Sequence, residues 1–196
     1  MQCSGAILAG GQSRRFGTNK ALFPIENIPM IRRIYDCLDS VFEDVMVAGG
    51  DATAYSALGL PYNADKIPGK GTLSGLHAAL LSAPTDRVFC CACDMPLINA
   101  EVVRLIIGCI GAEEALIPVI GGVHQPLHAV YSKSIMPLVE HFCRSQNGYL
   151  PDLLKSISVR HLDESYLAEI PEYQLSFVNF NDPLLIEQYR ARFTQT

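Results

Sequence analysis

A chain of 196 residues in which 49% are hydrophobic can bury one sizeable core, which suits a single domain over residues 1–196. A formal net charge of −5 and a pI near 5.5 exclude the broad basic surface of a general nucleic-acid binder. No apolar run reaches the roughly 18–20 residues of a bilayer span, and no charged segment leads into a long apolar one, so neither a membrane partner nor a secretory leader is expected.

Residues 3–8 read as a short buried strand, and the run after it changes character abruptly. Ala9-Gly10-Gly11-Gln12-Ser13-Arg14-Arg15-Phe16-Gly17-Thr18-Asn19-Lys20 mixes glycines with long polar and cationic side chains. Glycines let a backbone approach a ligand closely and expose its N–H groups. Arg15 and Lys20 add fixed positive charge beside them. The run is neither a Walker A loop nor a dinucleotide fingerprint, because neither glycine spacing occurs. Its chemistry suits the phosphates of a nucleoside triphosphate, whereas Gly10-Gly11 alone would be an ordinary turn.

Residues 21–29 hold Pro24 and Pro29 and read as irregular. Residues 30–41 form a helix with Ile31, Ile34, Leu38 and Val41 on one face. A strand over 44–48 is closed by Gly49-Gly50-Asp51, and a short helix over 53–58 leads to a weak strand over 61–63. A loop rich in Gly, Pro and Lys precedes a helix over 73–82. Residues 87–91 are a buried central strand, followed by a helix over 100–108. Strands over 115–120 and 126–131 flank Gly121-Gly122 as a hairpin. Helices over 134–143 and 149–154, strands over 159–162 and 177–180, and a helix over 184–192 complete the chain. The alternation predicts an α/β fold: a three-layer α/β/α, Rossmann-like domain with a mostly parallel central sheet. Ligands of such sheets lie at the carboxyl ends of the strands, where Gly10, Gly11, Asp65 and Asp94 all fall.

The seven cysteines are Cys3, Cys37, Cys90, Cys91, Cys93, Cys109 and Cys143. Successive residues of a strand point to opposite faces, so Cys90, Cys91 and Cys93 read as core residues rather than ligands of one zinc. Free thiols in this number point to a reducing, cytoplasmic setting.

Several polar residues carry two readings. Asp94 follows an apolar strand and precedes Met95-Pro96, where a carboxylate can hold Mg²⁺ or simply make an Asx turn. Asp65 precedes Gly69 and Gly71-Thr72-Leu73-Ser74-Gly75, a stretch that also reads as a loop capping the next helix. His124 and His128 stand roughly 13 Å apart on a strand, too far for one metal ion. His128 also reads as a polar core residue. Asn179 and Asn181 precede Pro183 and also suit the cap of the last helix.

Leu8-Ala9-Gly10-Gly11-x-Ser13-x-Arg15-x-Gly17-x-x-Lys20 resembles the signature of sugar-nucleotide-type nucleotidyltransferases. The branch it most resembles is the molybdenum cofactor guanylyltransferase family. The likeness extends through Gly71-x-Leu73-x-Gly75, Cys93-Asp94-x-Pro96, Gln125-Pro126-Leu127-His128-Ala129-x-Tyr131 and Asn179-x-Asn181-x-Pro183. Thr72 replaces a family proline and Asp182 a family threonine. The resemblance implies that Leu8, Ala9, Gly10, Gly11, Lys20, Asp65, Gly71 and Asp94 bind nucleotide. It implies catalytic roles for Arg15, Lys20 and Asp94, with Asp94 holding Mg²⁺, and places Gln125, Pro126, His128, Asn179 and Asn181 on the acceptor side. The implied reaction transfers GMP from Mg·GTP to molybdopterin and releases pyrophosphate, with a molybdoenzyme or its chaperone as recipient. The family's asparagine after the second strand is absent, since the chain there reads Val47-Ala48-Gly49-Gly50. Base choice therefore stays open between GTP and another nucleotide, as in a cytidylyltransferase on the same pterin or a sugar-phosphate nucleotidyltransferase. A nucleotide-binding scaffold without turnover is a further alternative, against which the cations and Asp94 argue.

Overall fold

The computed structural model describes residues 2–9, 19–146 and 148–193. Its strands are β1 (Ser4–Leu8), β2 (Pro24–Ile25), β3 (Ile28–Pro29), β4 (Val45–Ala48), β5 (Tyr62–Asn63), β6 (Arg87–Ala92), β7 (Ala115–Ile120), β8 (Val123–His124), β9 (His128–Ser132) and β10 (Val159–Asp163). Its helices are α1 (Met30–Asp39), α2 (Ala52–Ala57), α3 (Thr72–Ser82), α4 (Ala100–Gly108), α5 (Met136–Arg144), α6 (Leu150–Lys155), α7 (Pro183–Gln188) and α8 (Arg190–Phe193).

Every residue of β1 is buried, as a central strand covered on both faces requires. It lies between β4 and β6, parallel to both, in a sheet of order β10-β7-β9-β6-β1-β4-β5 with β8 beside β7. Alternate side chains feed two cores. Ile7, Val45 and Val47 join Ile31, Ile34 and Leu38 of α1 and Val102, Val103 and Ile106 of α4 on one face. Ala6, Leu8, Met46 and Ala48 join Leu73, Leu76 and Leu80 of α3 and Val139 and Cys143 of α5 on the other. The three-layer, mostly parallel arrangement predicted from the alternating pattern is present. The exceptions to parallel pairing are β9, which runs against both β6 and β7, and β8, which runs against β7.

Three local expectations are corrected. Gly121 and Gly122 turn the chain between β7 and β8, not directly into the long strand, which begins only at His128. Pro126 cannot donate to a ladder, and Gln125 and His128 close the loop around it with a His128 N–H to Gln125 C=O bond of 3.1 Å. Residues 177–180 are not a strand. The buried side chains there, Phe177 and Phe180, are three apart, which a pleated strand would send to opposite faces. The segment instead follows a 3-10 turn over Tyr173–Phe177. Residues 21–29 are more regular than expected: a 3-10 turn over Lys20–Leu22 leads into the β2–β3 hairpin, whose tip residues Glu26 and Asn27 adopt positive φ.

Candidate functional site

β6, β1, β4 and β5 are parallel neighbours, so their carboxyl ends form one continuous rim. Asp94 lies just past β6, the glycine run starts past β1, Gly49-Gly50 follow β4, and Asp65 follows β5. Three strand spacings of about 4.8 Å separate the outer two, giving a rim about 14 Å long with a carboxylate at each end.

Lys20 comes to this rim through a small scaffold of its own. The Asn19 side chain caps the Lys20–Leu22 turn by accepting from the Ala21 N–H (3.1 Å), and its amide donates to the Tyr55 hydroxyl (3.3 Å). Tyr55 is fully buried, and burial pushes its phenol up to about 12, so it stays protonated. Ala21, also buried, anchors the turn. Lys20 Nζ then lies 2.5 Å from Asp94 Oδ2 and 2.9 Å from Asn181 Oδ1, joining segments 74 and 161 residues apart in sequence. The Phe180 N–H donates to the Asp94 backbone carbonyl (2.8 Å), which fixes the Asn179–Asn181 segment against the same loop. Asp182, not either asparagine, caps α7 by accepting from the Leu184 N–H (2.9 Å). That leaves Asn181 to meet Lys20, a contact invisible in the sequence.

The Asp94 side chain is only 12% exposed, and its second oxygen, Oδ1, is buried without a hydrogen-bond partner. A lone buried carboxylate oxygen suits a hard cation. Among the described residues no cluster of three or more His, Cys, Asp or Glu could enclose a metal. The described residues therefore offer one carboxylate rather than a cage, which fits a hard cation such as Mg²⁺ that takes most of its ligands from elsewhere.

At the far end of the rim, Gly49 makes room for Asp65. A Cβ on Gly49 would stand 2.7 Å from Asp65 Oδ1, and Gly49 has φ +77°. Asp65 Oδ1 is buried and unpartnered. Burial raises the Asp65 carboxyl above its ordinary range, against the opposing pull of the nearby His77 imidazole. Gly50, at φ +83°, passes so close to Ala9 that a Cβ would meet the Ala9 carbonyl at 2.6 Å. Gly71, at φ +53°, is the residue before α3, with no side chain capping that helix.

The remaining sequence candidates fall into four groups. Gly10, Gly11 and Arg15 lie outside the described residues. Leu8 and Ala9 end β1 at the rim, but the Ala9 N–H donates to the Ala48 carbonyl (2.9 Å) and is spent on the sheet rather than left for a ligand. Gln125 and Pro126 stand at the rim because β9 runs antiparallel and so begins where β6 ends; the Ala92 N–H bonds the Leu127 carbonyl at 3.0 Å. His128 is fully buried between the rings of Phe89 and Phe177, with neither ring nitrogen hydrogen-bonded. Burial lowers its pKa to about 3. That matches the core reading of this residue. Asn19, Tyr55 and Gly49 escaped the sequence reading; the positive-φ Gly49-Gly50 pair after a strand was the one visible hint.

Residues 5–163 match the family model of the MobA-like NTP transferase domain. The chain belongs to the MobA-like NTP transferase family. A protein of Pelotomaculum thermopropionicum described as a probable molybdenum cofactor guanylyltransferase is 37% identical over 183 residues, covering 93% of this chain and 89% of that one. A protein of Carboxydothermus hydrogenoformans with the same description is 31% identical over 189 residues, covering 96% and 95%. The crystal structure of molybdopterin-guanine dinucleotide biosynthesis protein A from Archaeoglobus fulgidus superposes with a TM-score of 0.85 at 22% identity, covering 98% of this chain and all of that one. Membership of the MobA-like family makes this chain a nucleotidyltransferase. The rim is where parallel α/β sheets bind their ligands. No helix among the described residues is long and apolar enough to cross a membrane.

Proposed function

We propose that this protein transfers GMP from GTP to the terminal phosphate of molybdopterin, the molybdenum cofactor, and releases pyrophosphate. The observation that carries the reading is the meeting of Lys20, Asp94 and Asn181 at one rim position. The two relatives described as probable molybdenum cofactor guanylyltransferases support the choice of base and acceptor. An acceptor phosphate oxygen attacks the α-phosphorus, and the bond to the bridging oxygen of the β-phosphate breaks. The attacking group is already an anion, so no strong general base is needed, and the unpartnered, fully buried His128 is not required to serve as one. Catalysis is then positioning plus charge stabilisation. Lys20 neutralises phosphate oxygens, and Arg15 and the Gly10-Gly11 backbone are assigned to the same triphosphate. Asp94 holds Mg²⁺, which when bound supplies positive charge to the phosphates. Asp65 accepts from donors of the nucleoside. Gln125, Pro126, Asn179 and Asn181 face the acceptor, with His128 supporting them from the core. Seven free cysteines fit a cytoplasmic setting, and a molybdoenzyme or its chaperone is the expected recipient.

Thermal shifts with Mg²⁺ and GTP, CTP, ATP or UTP test the base. A nucleotide at 100 times its Kd stabilises by about 2.7 kcal/mol. Pyrophosphate release dependent on both GTP and the pterin acceptor supports the proposal; preference for CTP removes the guanylyl assignment, and nucleotide binding without pyrophosphate release favours a scaffold.

A further inference from the structure

Lys20 pairs with the same carboxylate that best fits a metal. Its ammonium lies 2.5 Å from Asp94 Oδ2, while Asp94 Oδ1 is buried and unpartnered. Asn181 Oδ1 accepts from the same ammonium at 2.9 Å. We infer that Lys20, steadied by Asn181, is a built-in competitor for the cation at Asp94, so that metal and nucleotide each open the site for the other. The inference rests on the metal role of Asp94 proposed above.

The physical reason is the sharing of one carboxylate by two cations. A divalent ion arriving alone meets the ammonium already seated, and like charges at such range repel strongly where water is scarce. Moving Lys20 aside costs its ion pair with Asp94, which the neutral Asn181 oxygen does not replace. A triphosphate changes the balance. Its oxygens give Lys20 a new anionic partner through charge-assisted bonds, and Asp94 is released to the metal. Asn181 does not compensate charge; it holds the ammonium near the rim while its ionic partner changes. The Phe180 N–H bond to the Asp94 carbonyl keeps Asn181 moving with the Asp94 loop. Linkage then requires that nucleotide raise metal affinity by the same factor as metal raises nucleotide affinity.

The test uses the full chain and Mn²⁺ as probe, read by the electron paramagnetic resonance signal of free ion, without and with saturating GTP. The wild type should bind Mn²⁺ weakly alone and at least about tenfold more tightly with GTP, within the usual range of coupling. Lys20→Met should bind Mn²⁺ alone about tenfold more tightly than wild type, and nucleotide should enhance it far less. Asn181→Ala, at an exposed position, should raise Mn²⁺ affinity in the same direction by about threefold. A general loss of structure would weaken metal binding, so the gain is a signature that a merely structural role does not produce. If Lys20→Met or Asn181→Ala binds Mn²⁺ alone no better than wild type, while Asp94→Asn abolishes metal binding to the GTP complex, the competition is wrong and the metal role of Asp94 stands. If Asp94→Asn leaves Mn²⁺ binding unchanged in every state, both fall.

Discussion

Three glycines allow the rim to be dissected by adding a single methyl group. Gly49, Gly50 and Gly59 all sit in the left-handed region, at φ +77°, +83° and +68°, but they differ in what a Cβ would meet. Gly59 meets nothing within 4 Å, so Gly59→Ala carries only the backbone cost, about 1–2 kcal/mol. Gly50→Ala adds a clash at 2.6 Å with the Ala9 carbonyl, backbone that cannot swing away. Its total cost is expected at about 3–4 kcal/mol, the added part being of the size of an overpacking penalty. Gly49→Ala meets the Asp65 carboxylate at 2.7 Å. That side chain can rotate, so the stability cost should stay near that of Gly59→Ala, about 1–2 kcal/mol. The displaced carboxylate should instead appear as lost nucleotide affinity. In a chain of this length 1 kcal/mol moves Tm by about 2–4 °C. Thermal denaturation with and without nucleotide should therefore rank Gly50→Ala lowest in Tm, with Gly49→Ala and Gly59→Ala alike. The nucleotide-induced shift should collapse in Gly49→Ala and persist in Gly59→Ala. Equal nucleotide shifts in those two variants would refute the claim that Gly49 exists to make room for Asp65.

Lys20→Ala removes a charge-assisted contact worth about 1.5–3 kcal/mol, so turnover should fall by about 10- to 150-fold; pyrophosphate release within threefold of wild type would overturn the phosphate role. Asp65→Asn relieves the burial of an ionised carboxylate, whose raised pKa means that stability is lost as pH rises through its titration. The variant should thus melt no lower than wild type at pH 7 without ligand, yet show a smaller GTP-induced shift in the same scans. His128 is neutral in the fold down to about 3 against an ordinary value of 6.5. The unfolded chain therefore takes up the proton first as pH falls through 6.5, and folding loses about 1.4 kcal/mol per pH unit below it. His128→Leu should cancel about 2 kcal/mol of the loss between pH 6.5 and 5 in urea titrations; an unchanged pH dependence would show that His128 is not buried neutral.

The order of elements and the two-faced core were legible because strand and helix periods are strong signals in segments such as 30–41 and 87–91. The signature from Leu8 to Lys20 and the aspartate after β6 were legible for a different reason: their residue types are chemically costly unless something uses them. What sequence could not show was orientation. Nothing in Gln125-Pro126-Leu127-His128 says that β9 runs against its neighbours, or that the imidazole turns into the core between Phe89 and Phe177. Residues 177–180 misled because two phenylalanines in an apolar run imitate a strand, while their spacing of three suits a chain that turns. The contact between Lys20 and Asn181 was hidden because Asp182, rather than Asn181, took the helix cap.

On the proposed reaction, that reversed strand also gives one rim room for both donor and acceptor. In a purely parallel sheet each strand leaves the rim for a helix, and the next returns at the opposite edge. Inserting β9 antiparallel between β6 and β7 puts the start of a strand beside the end of β6, so the loop through Gln125 and Pro126 is delivered to the rim at the end of β6. The C-terminal segment supplies the other side, held by the Phe180 N–H on the Asp94 carbonyl. Asp94 thus stands where the Lys20 turn and the Asn179–Asn181 segment meet, with the loop before β9 beginning at the same rim. A group-transfer centre needs such a point, because donor and acceptor must approach one phosphorus from opposite directions. If the proposed reaction holds, the strand order supplies such a point without any residue having to reach across the sheet.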